Sequence, residues 1–195
     1  TLLTPDDFGW ILCNSGAVAV FVSGDLADKW TDIAANQPYV RFISSDGGPW
    51  ADLEALIEGA NPMTEPADTH RDDVAFWLYT SGSTGRPKGA MHAQSSMRLT
   101  ANLYAMGTLG LRENDKVLSI AKQFFAYGLG NSLTFPYAVG ATVVLFNGRA
   151  TPEAISEVIV ENDISVLCGV PTFFAGWFAH PSCPTAEQAP SLRIA

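Results

Sequence analysis

The chain has 195 residues, 47% of them hydrophobic and 11% aromatic, enough apolar material for one domain with a sizeable core or for two small lobes. Its formal net charge is −9, and no basic stripe interrupts the acidic balance, which argues against a nucleic-acid partner. An anionic substrate would have to be held by local N–H groups and single cations rather than by the overall field.

In chain order, Thr4-Pro5-Asp6-Asp7 carries the marks of a helix start: a hydroxyl cap, proline at the first helical position and acids in the first turn. Phe8, Ile11 and Leu12 then share a face, Gly16 supplies the stop, and residues 17–22 read as a strand. Residues 50–58 read as a short helix. Residues 59–73, with two prolines and several acids, form a solvated linker and the expected boundary between two parts, 1–73 and 74–195. Residues 74–79 form a buried-type strand, 90–92 a second short strand, 95–106 a helix, and 117–120 and 141–146 further strands. Thr151-Pro152-Glu153 repeats the opening chemistry of the first helix, with Ile155, Val158 and Ile159 on one face and residues 164–167 as the strand that follows. Strands alternating with helices predict parallel sheets of the α/β class, in two similar lobes.

Cys13, Cys168 and Cys183 are widely spaced and form no C-x-x-C pair, so neither a disulfide framework nor a zinc site is expected, and a reducing cytoplasm is the natural compartment. His70, His92 and His180 are equally scattered and predict no metal cluster. The longest strongly apolar run, 141–146, is far below the ~18–20 residues of a membrane span, and no membrane partner is expected. No signal peptide is evident. A start at Thr1 and a strand-like beginning at residues 191–195 read as a piece of a longer polypeptide.

Residues 79–89, Tyr-Thr-Ser-Gly-Ser-Thr-Gly-Arg-Pro-Lys-Gly, are the most distinctive segment. Ser/Thr/Gly runs are ordinarily plain loops. Here, however, glycines that allow close backbone approach alternate with hydroxyls, Pro87 stiffens the far side, and Lys88 supplies a mobile point charge suited to a terminal phosphate. The P-loop pattern G-x-x-x-x-G-K-[ST] is not met, because Arg86 and Pro87 separate Gly85 from Lys88. A second segment, residues 123–131, runs Gln-Phe-Phe-Ala-Tyr-Gly-Leu-Gly-Asn. Adjacent aromatics of this kind often belong to a core. Yet Ala126 and Gly128 are small and flank Tyr127, leaving room for a flat group against the phenol ring.

Residues 80–89 match throughout the phosphate-binding motif [ST]-[SG]-G-[ST]-[ST]-G-x-P-K-G, and on that basis the chain resembles the adenylate-forming superfamily of acyl-CoA synthetases, non-ribosomal adenylation domains and beetle luciferases. Residues 123–131 are similar to the acyl-pocket run of its benzoate–CoA ligase branch. Residues 136–145 and the turn Gly169-Val170-Pro171-Thr172 also resemble that branch, the turn as scaffold. The resemblance implies a two-lobed N-terminal α/β domain of which this chain is an internal portion. It implies activation of an aromatic carboxylic acid in two steps: attack on the α-phosphate of Mg-ATP, then displacement of AMP by coenzyme A. Thr80, Ser81, Ser83, Thr84 and Lys88 would meet the phosphates, with Gly82, Gly85 and Gly89 shaping the loop. Phe125 would be a gate between nucleotide and acyl sites, and Ala126, Tyr127 and Gly128 walls of the acyl pocket. The ATP, Mg2+ and coenzyme A of the reaction imply no protein metal site. The family's adenine- and ribose-binding motifs, and the C-terminal domain with its adenylation lysine, find no counterpart in this chain, so the isolated polypeptide is expected to be inactive. Alternatives are an amino-acid- or fatty-acid-activating enzyme, or a truncated non-catalytic fragment; no aspartate in the aromatic segment suits an α-amino group.

Overall fold

A computed structural model describes residues 3–80 and 85–195. The chain divides into two compact units, residues 1–69 with 79–91 and residues 70–78 with 92–195.

The first unit opens with helix α1 (Pro5–Ser15). Its start is fixed by reciprocal capping: Asp7 N–H donates to Thr4 Oγ1 at 3.3 Å, and Thr4 N–H donates to Asp7 Oδ2 at 2.9 Å. Pro5 occupies the first turn, where a missing N–H costs nothing, and Gly16 closes the helix in the left-handed region at φ 64°. Strands β1 (Ala19–Val22), β2 (Arg41–Ser44) and β3 (Ala51–Asp52) form a parallel sheet in that order, with Ala19 opposite Arg41 and Ile43 opposite Ala51. Helix α2 (Ala27–Ala35) makes the crossover between β1 and β2. Leu12, Val22 and Phe42 are the buried centre. Around them runs an aromatic chain, with Phe8 stacked on Trp30 at 4.6 Å, Trp30 edge-on to Phe42 at 5.9 Å, and Phe42 tilted to Trp50 at 5.4 Å.

The stretch expected to be a helix from residue 50 begins instead as β3, and helix α3 (Leu53–Glu58) starts only after it. The reason is local. Asp52 is an extended cap whose carboxylate accepts the Ala55 N–H at 3.0 Å, so the preceding residues are free to pair with β2.

Strands β4 (Val74–Thr80) and β5 (Lys88–Ala93) pair in a two-stranded sheet. Helix α4 (Gln94–Thr100) continues as a π-helical stretch, Ala101–Met106. Strand β6 (Lys116–Ser119) lies at the centre of the second unit's parallel sheet, between β7 (Thr142–Val144) and β8 (Val166–Cys168). Between β6 and β7 come α5 (Ala126–Leu129), a second π-helical stretch, Gly130–Thr134, and α6 (Phe135–Val139). Helix α7 (Pro152–Glu161) carries β7 over to the level of β8, and α8 (Pro171–Phe178) follows. The cap of α7 is again a threonine, Thr151 Oγ1 accepting the Ala154 N–H at 3.3 Å. Leu118, Ile155, Ile159, Ile164, Leu167 and Trp177 form the main core of this unit. The parallel α/β class expected from the alternation of elements is what the sheets show.

Beside β6, Asp115 is only 4% exposed. Arg193 Nε donates to its Oδ1 at 2.9 Å, Ser165 Oγ donates to the same oxygen at 2.8 Å, and the Arg112 N–H reaches Oδ2 at 2.8 Å. The guanidinium hydrogen bonds, helped by Ser165 and Arg112 and opposed by burial, hold the Asp115 carboxyl down at about 2. Through this clasp Ile194 is laid beside Val166 as a parallel bridge, extending the sheet past β8.

Candidate functional site

The glycine-rich segment connects β4 to β5. Thr80 is the exposed last residue of β4, Gly85 has φ +90°, Pro87 is buried, and Lys88, exposed, begins β5 with half-buried Gly89 behind it. Ser81, Gly82, Ser83 and Thr84 lie outside the described residues. At Gly85 a Cβ would meet nothing within 4 Å, so the glycine is required by its left-handed backbone rather than by crowding. Among the described residues Lys88 makes no ion pair.

The flanks of this segment are tied to α1. Tyr79 Oη donates to Asn14 Oδ1 at 2.7 Å, and Trp10 Nε1 donates to the carbonyl of Pro87 at 3.0 Å. Arg86 Nη1 meets Asp6 Oδ2 at 2.6 Å while its guanidinium sits 5.6 Å from the centre of the Trp10 ring. Burial raises the Tyr79 phenol above its usual value, so it stays a neutral donor at physiological pH.

The aromatic segment belongs to the second unit. Phe125 is extended and caps α5, its carbonyl accepting the Leu129 N–H at 2.8 Å; the residue is 57% exposed and its ring is tilted against Phe124 at 4.4 Å. Tyr127 Oη donates to the Gly169 carbonyl at 3.3 Å, which joins the aromatic segment to the link from β8 into α8, where the sequence suggests a turn at residues 169–172. Burial, and then the neighbouring Cys168 and Tyr104, push the Tyr127 phenol up. Gly128 is buried where a Cβ would lie 2.0 Å from the Lys122 carbonyl oxygen and 2.6 Å from that of Ala121. Its smallness is therefore demanded by the tight turn of its own segment.

Ala126 faces a different space from Tyr127. With Phe76, His92, Met97, Leu129 and Phe135 it lines a cavity of about 150 Å³. The His92 ring stacks on Phe76 at 4.9 Å with 9° between planes. Sequence reasoning treats His92 only as one of three scattered histidines; its place in β5, opposite a strand carrying Phe76, is the signal that could have drawn it in. A larger hollow of about 480 Å³ near Phe42 and Trp50 is lined by no charged side chain, which makes it a poor receptor for a nucleotide. Among the described residues no three His, Cys, Asp or Glu side chains are grouped to hold a metal ion, and no helix is long and apolar enough to cross a membrane.

The chain is 45% identical to benzoate–CoA ligase of Thauera aromatica, with 94% of this chain and 35% of that protein aligned. It is 38% identical to 4-hydroxybenzoate–CoA/benzoate–CoA ligase of Rhodopseudomonas palustris, over 100% of this chain and 36% of that protein. The chain thus spans about a third of the length of these relatives. Among solved structures it superposes on a benzoate CoA ligase from Burkholderia xenovorans with a TM-score of 0.88 at 43% identity, covering 100% of this chain and 38% of that one. It superposes on the anthranilate CoA ligase AuaEII, in complex with anthranoyl-AMP, with a TM-score of 0.87 at 32% identity, covering 94% and 36%. The family described as AMP-binding enzyme matches residues 1–195 from end to end, and the chain belongs to that family.

Proposed function

We propose that the full-length enzyme containing these residues activates an aromatic carboxylic acid of the benzoate type with ATP and transfers the acyl group to coenzyme A. The observation that carries this reading is the joint presence of the complete phosphate motif at residues 80–89 and 45% identity, over nearly the whole chain, to a benzoate–CoA ligase. In the first step a carboxylate oxygen attacks the α-phosphorus of Mg-ATP, the bond to the bridging oxygen breaks, and pyrophosphate leaves. In the second, the thiolate of coenzyme A attacks the acyl carbonyl, and AMP departs with the electron pair of the mixed anhydride.

The residues of this chain serve the first step. Thr80, Ser81, Ser83 and Thr84 supply hydroxyl and N–H donors to the β- and γ-phosphates, and Gly82, Gly85 and Gly89 let the backbone approach them. Lys88 neutralises charge that grows on the departing pyrophosphate, the place where a preorganised cation contributes most. Mg2+ enters as part of the nucleotide substrate, coordinated mainly by phosphate oxygens, as is usual for this ion. Phe125 and Tyr127 offer flat faces to an aryl ring, Ala126 lines the separate cavity beside Phe76 and His92, and Gly128 shapes the turn that presents them. Free thiols at Cys13, Cys168 and Cys183 suit a reducing cytoplasm.

The test is acid-dependent exchange of pyrophosphate into ATP by the full-length enzyme, across benzoate, hydroxybenzoates, 2-aminobenzoate, acetate and palmitate. The expected result is exchange with the aryl acids and thioester formation once coenzyme A is added. Preference for acetate or palmitate sinks the aryl assignment, and no exchange with any acid sinks the activation reading.

A further inference from the structure

Helix α1 has two working faces. Phe8 and Leu12 are buried, Phe8 against Trp30 and Leu12 in the cluster with Val22 and Phe42. Asp6, Trp10 and Asn14 recur at intervals of four and therefore line a separate stripe, about 12 Å from end to end at ~1.5 Å per residue. On a surface helix such a polar stripe ordinarily faces water. Here each member of the stripe contacts a flank of the glycine-rich segment: Asp6 meets Arg86, Trp10 the carbonyl of Pro87, and Asn14 the hydroxyl of Tyr79. One rigid rod thereby holds the chain on both sides of the segment, within a single compact unit.

We infer that Asp6, Trp10 and Asn14 are positioning residues for the phosphate-binding segment, acting through Arg86, Pro87 and Tyr79. The inference rests on the proposed ATP-dependent activation. Thr80 and Lys88 are exposed and adjoin the braced residues, so their aim depends on how firmly the flanks are held. Preorganised donors stabilise a transition state only when held in place before the reaction. The three contacts are unequal. The Arg86–Asp6 pair has side chains 52% and 78% exposed and is the weak member. The Trp10 N–H to the Pro87 carbonyl is the strong one, because it is partly buried and grips the backbone immediately before Lys88.

The decisive variant is Trp10→Phe, which deletes the donor and keeps an aromatic face for Arg86. A second, Asn14→Ala, releases the other flank. Both are made in the full-length enzyme. Loss of one hydrogen bond of ordinary strength predicts a ~3- to 10-fold fall in kcat/KM for ATP in pyrophosphate exchange. The rate at which coenzyme A consumes pre-formed aryl-adenylate should stay within about twofold of wild type, a split that general loosening of the fold does not produce. Without nucleotide, amide hydrogen exchange of residues 88–91 should speed up in Trp10→Phe. Equal slowing of both half-reactions, or unchanged ATP kinetics in either variant, overturns the positioning role. If wild-type enzyme shows no exchange with any aryl acid, the activation reading fails, and the brace stands or falls on hydrogen exchange alone: faster exchange supports it, unchanged exchange refutes it.

Discussion

Replacing Asp115 by asparagine isolates the electrostatic part of the clasp that joins Arg193 to β6. The carboxyl is buried, accepts from Arg193, Ser165 and the Arg112 backbone, and titrates at about 2 instead of 3.8. A displacement of that size corresponds to roughly 2.5 kcal/mol in favour of the folded state at neutral pH. Breaking a fully buried ion pair costs ~3–5 kcal/mol, but the Arg193 side chain is 31% exposed and recovers some hydration, so the lower figure applies. Because the folded value lies below the ordinary one, the stabilisation is complete above about pH 5 and drains away as the pH falls towards 2, with about half gone near pH 3. Urea unfolding of wild type and Asp115→Asn across that range measures it, and the difference between the two cancels every other carboxylate. The gap should be about 2–3 kcal/mol at neutral pH and should shrink steadily on acidification. A gap that is constant down to about pH 3, or that widens, refutes the argument.

Lys88→Ala should slow adenylation in single-turnover experiments by ~10- to 100-fold, the loss of one charge-assisted contact, while sparing thioester formation from pre-formed adenylate; equal slowing of both steps removes Lys88 from this role. Gly128→Ala should destabilise the fold by about 1–3 kcal/mol, because the new methyl group collides with the Lys122 carbonyl oxygen; an unchanged melting temperature contradicts this. Burial lifts the Cys168 thiol to about 11, so on brief iodoacetamide treatment at neutral pH exposed Cys13 should be modified and Cys168 spared, as read by peptide mass.

The elements most legible in the sequence were those whose determinants are local. The two Thr-Pro-acid starts name the first turns of α1 and α7 because cap, proline and acid all act within four residues. Helix α8, with the sequence PTFFAGWF, shows no polar face and hence no helical period, although Trp177 is sunk in the core and donates to Ser156 at 2.8 Å. Strand β3 is only two residues long and exists because β2 lies beside it, a fact no window of sequence contains. The glycine-rich motif is visible residue by residue in the sequence, yet its contacts with α1 are not. Asp6, Trp10 and Asn14 look like an ordinary outward face until residues 65 to 80 positions away arrive against them. Gly128 was legible as a small residue, but its crowding by the Lys122 carbonyl is a property of the folded turn.

The Asp115–Arg193 clasp also sets a timetable for the chain as it is made. Its two ends are 78 residues apart, a delay of roughly 4–16 s at ~5–20 residues per second of synthesis. The β1–β2 pairing, by contrast, joins residues about twenty positions apart and can close soon after residue 44 emerges. During the interval Asp115 has no guanidinium, Ser165 arrives 50 residues after it, and β6 waits for both of its parallel neighbours. Parallel pairings of this span are slow to form and leave strand edges open. A nascent chain halted between residues 120 and 141 therefore presents the unpaired Asp115 carboxylate beside a β6 strand with neither of its parallel neighbours yet made.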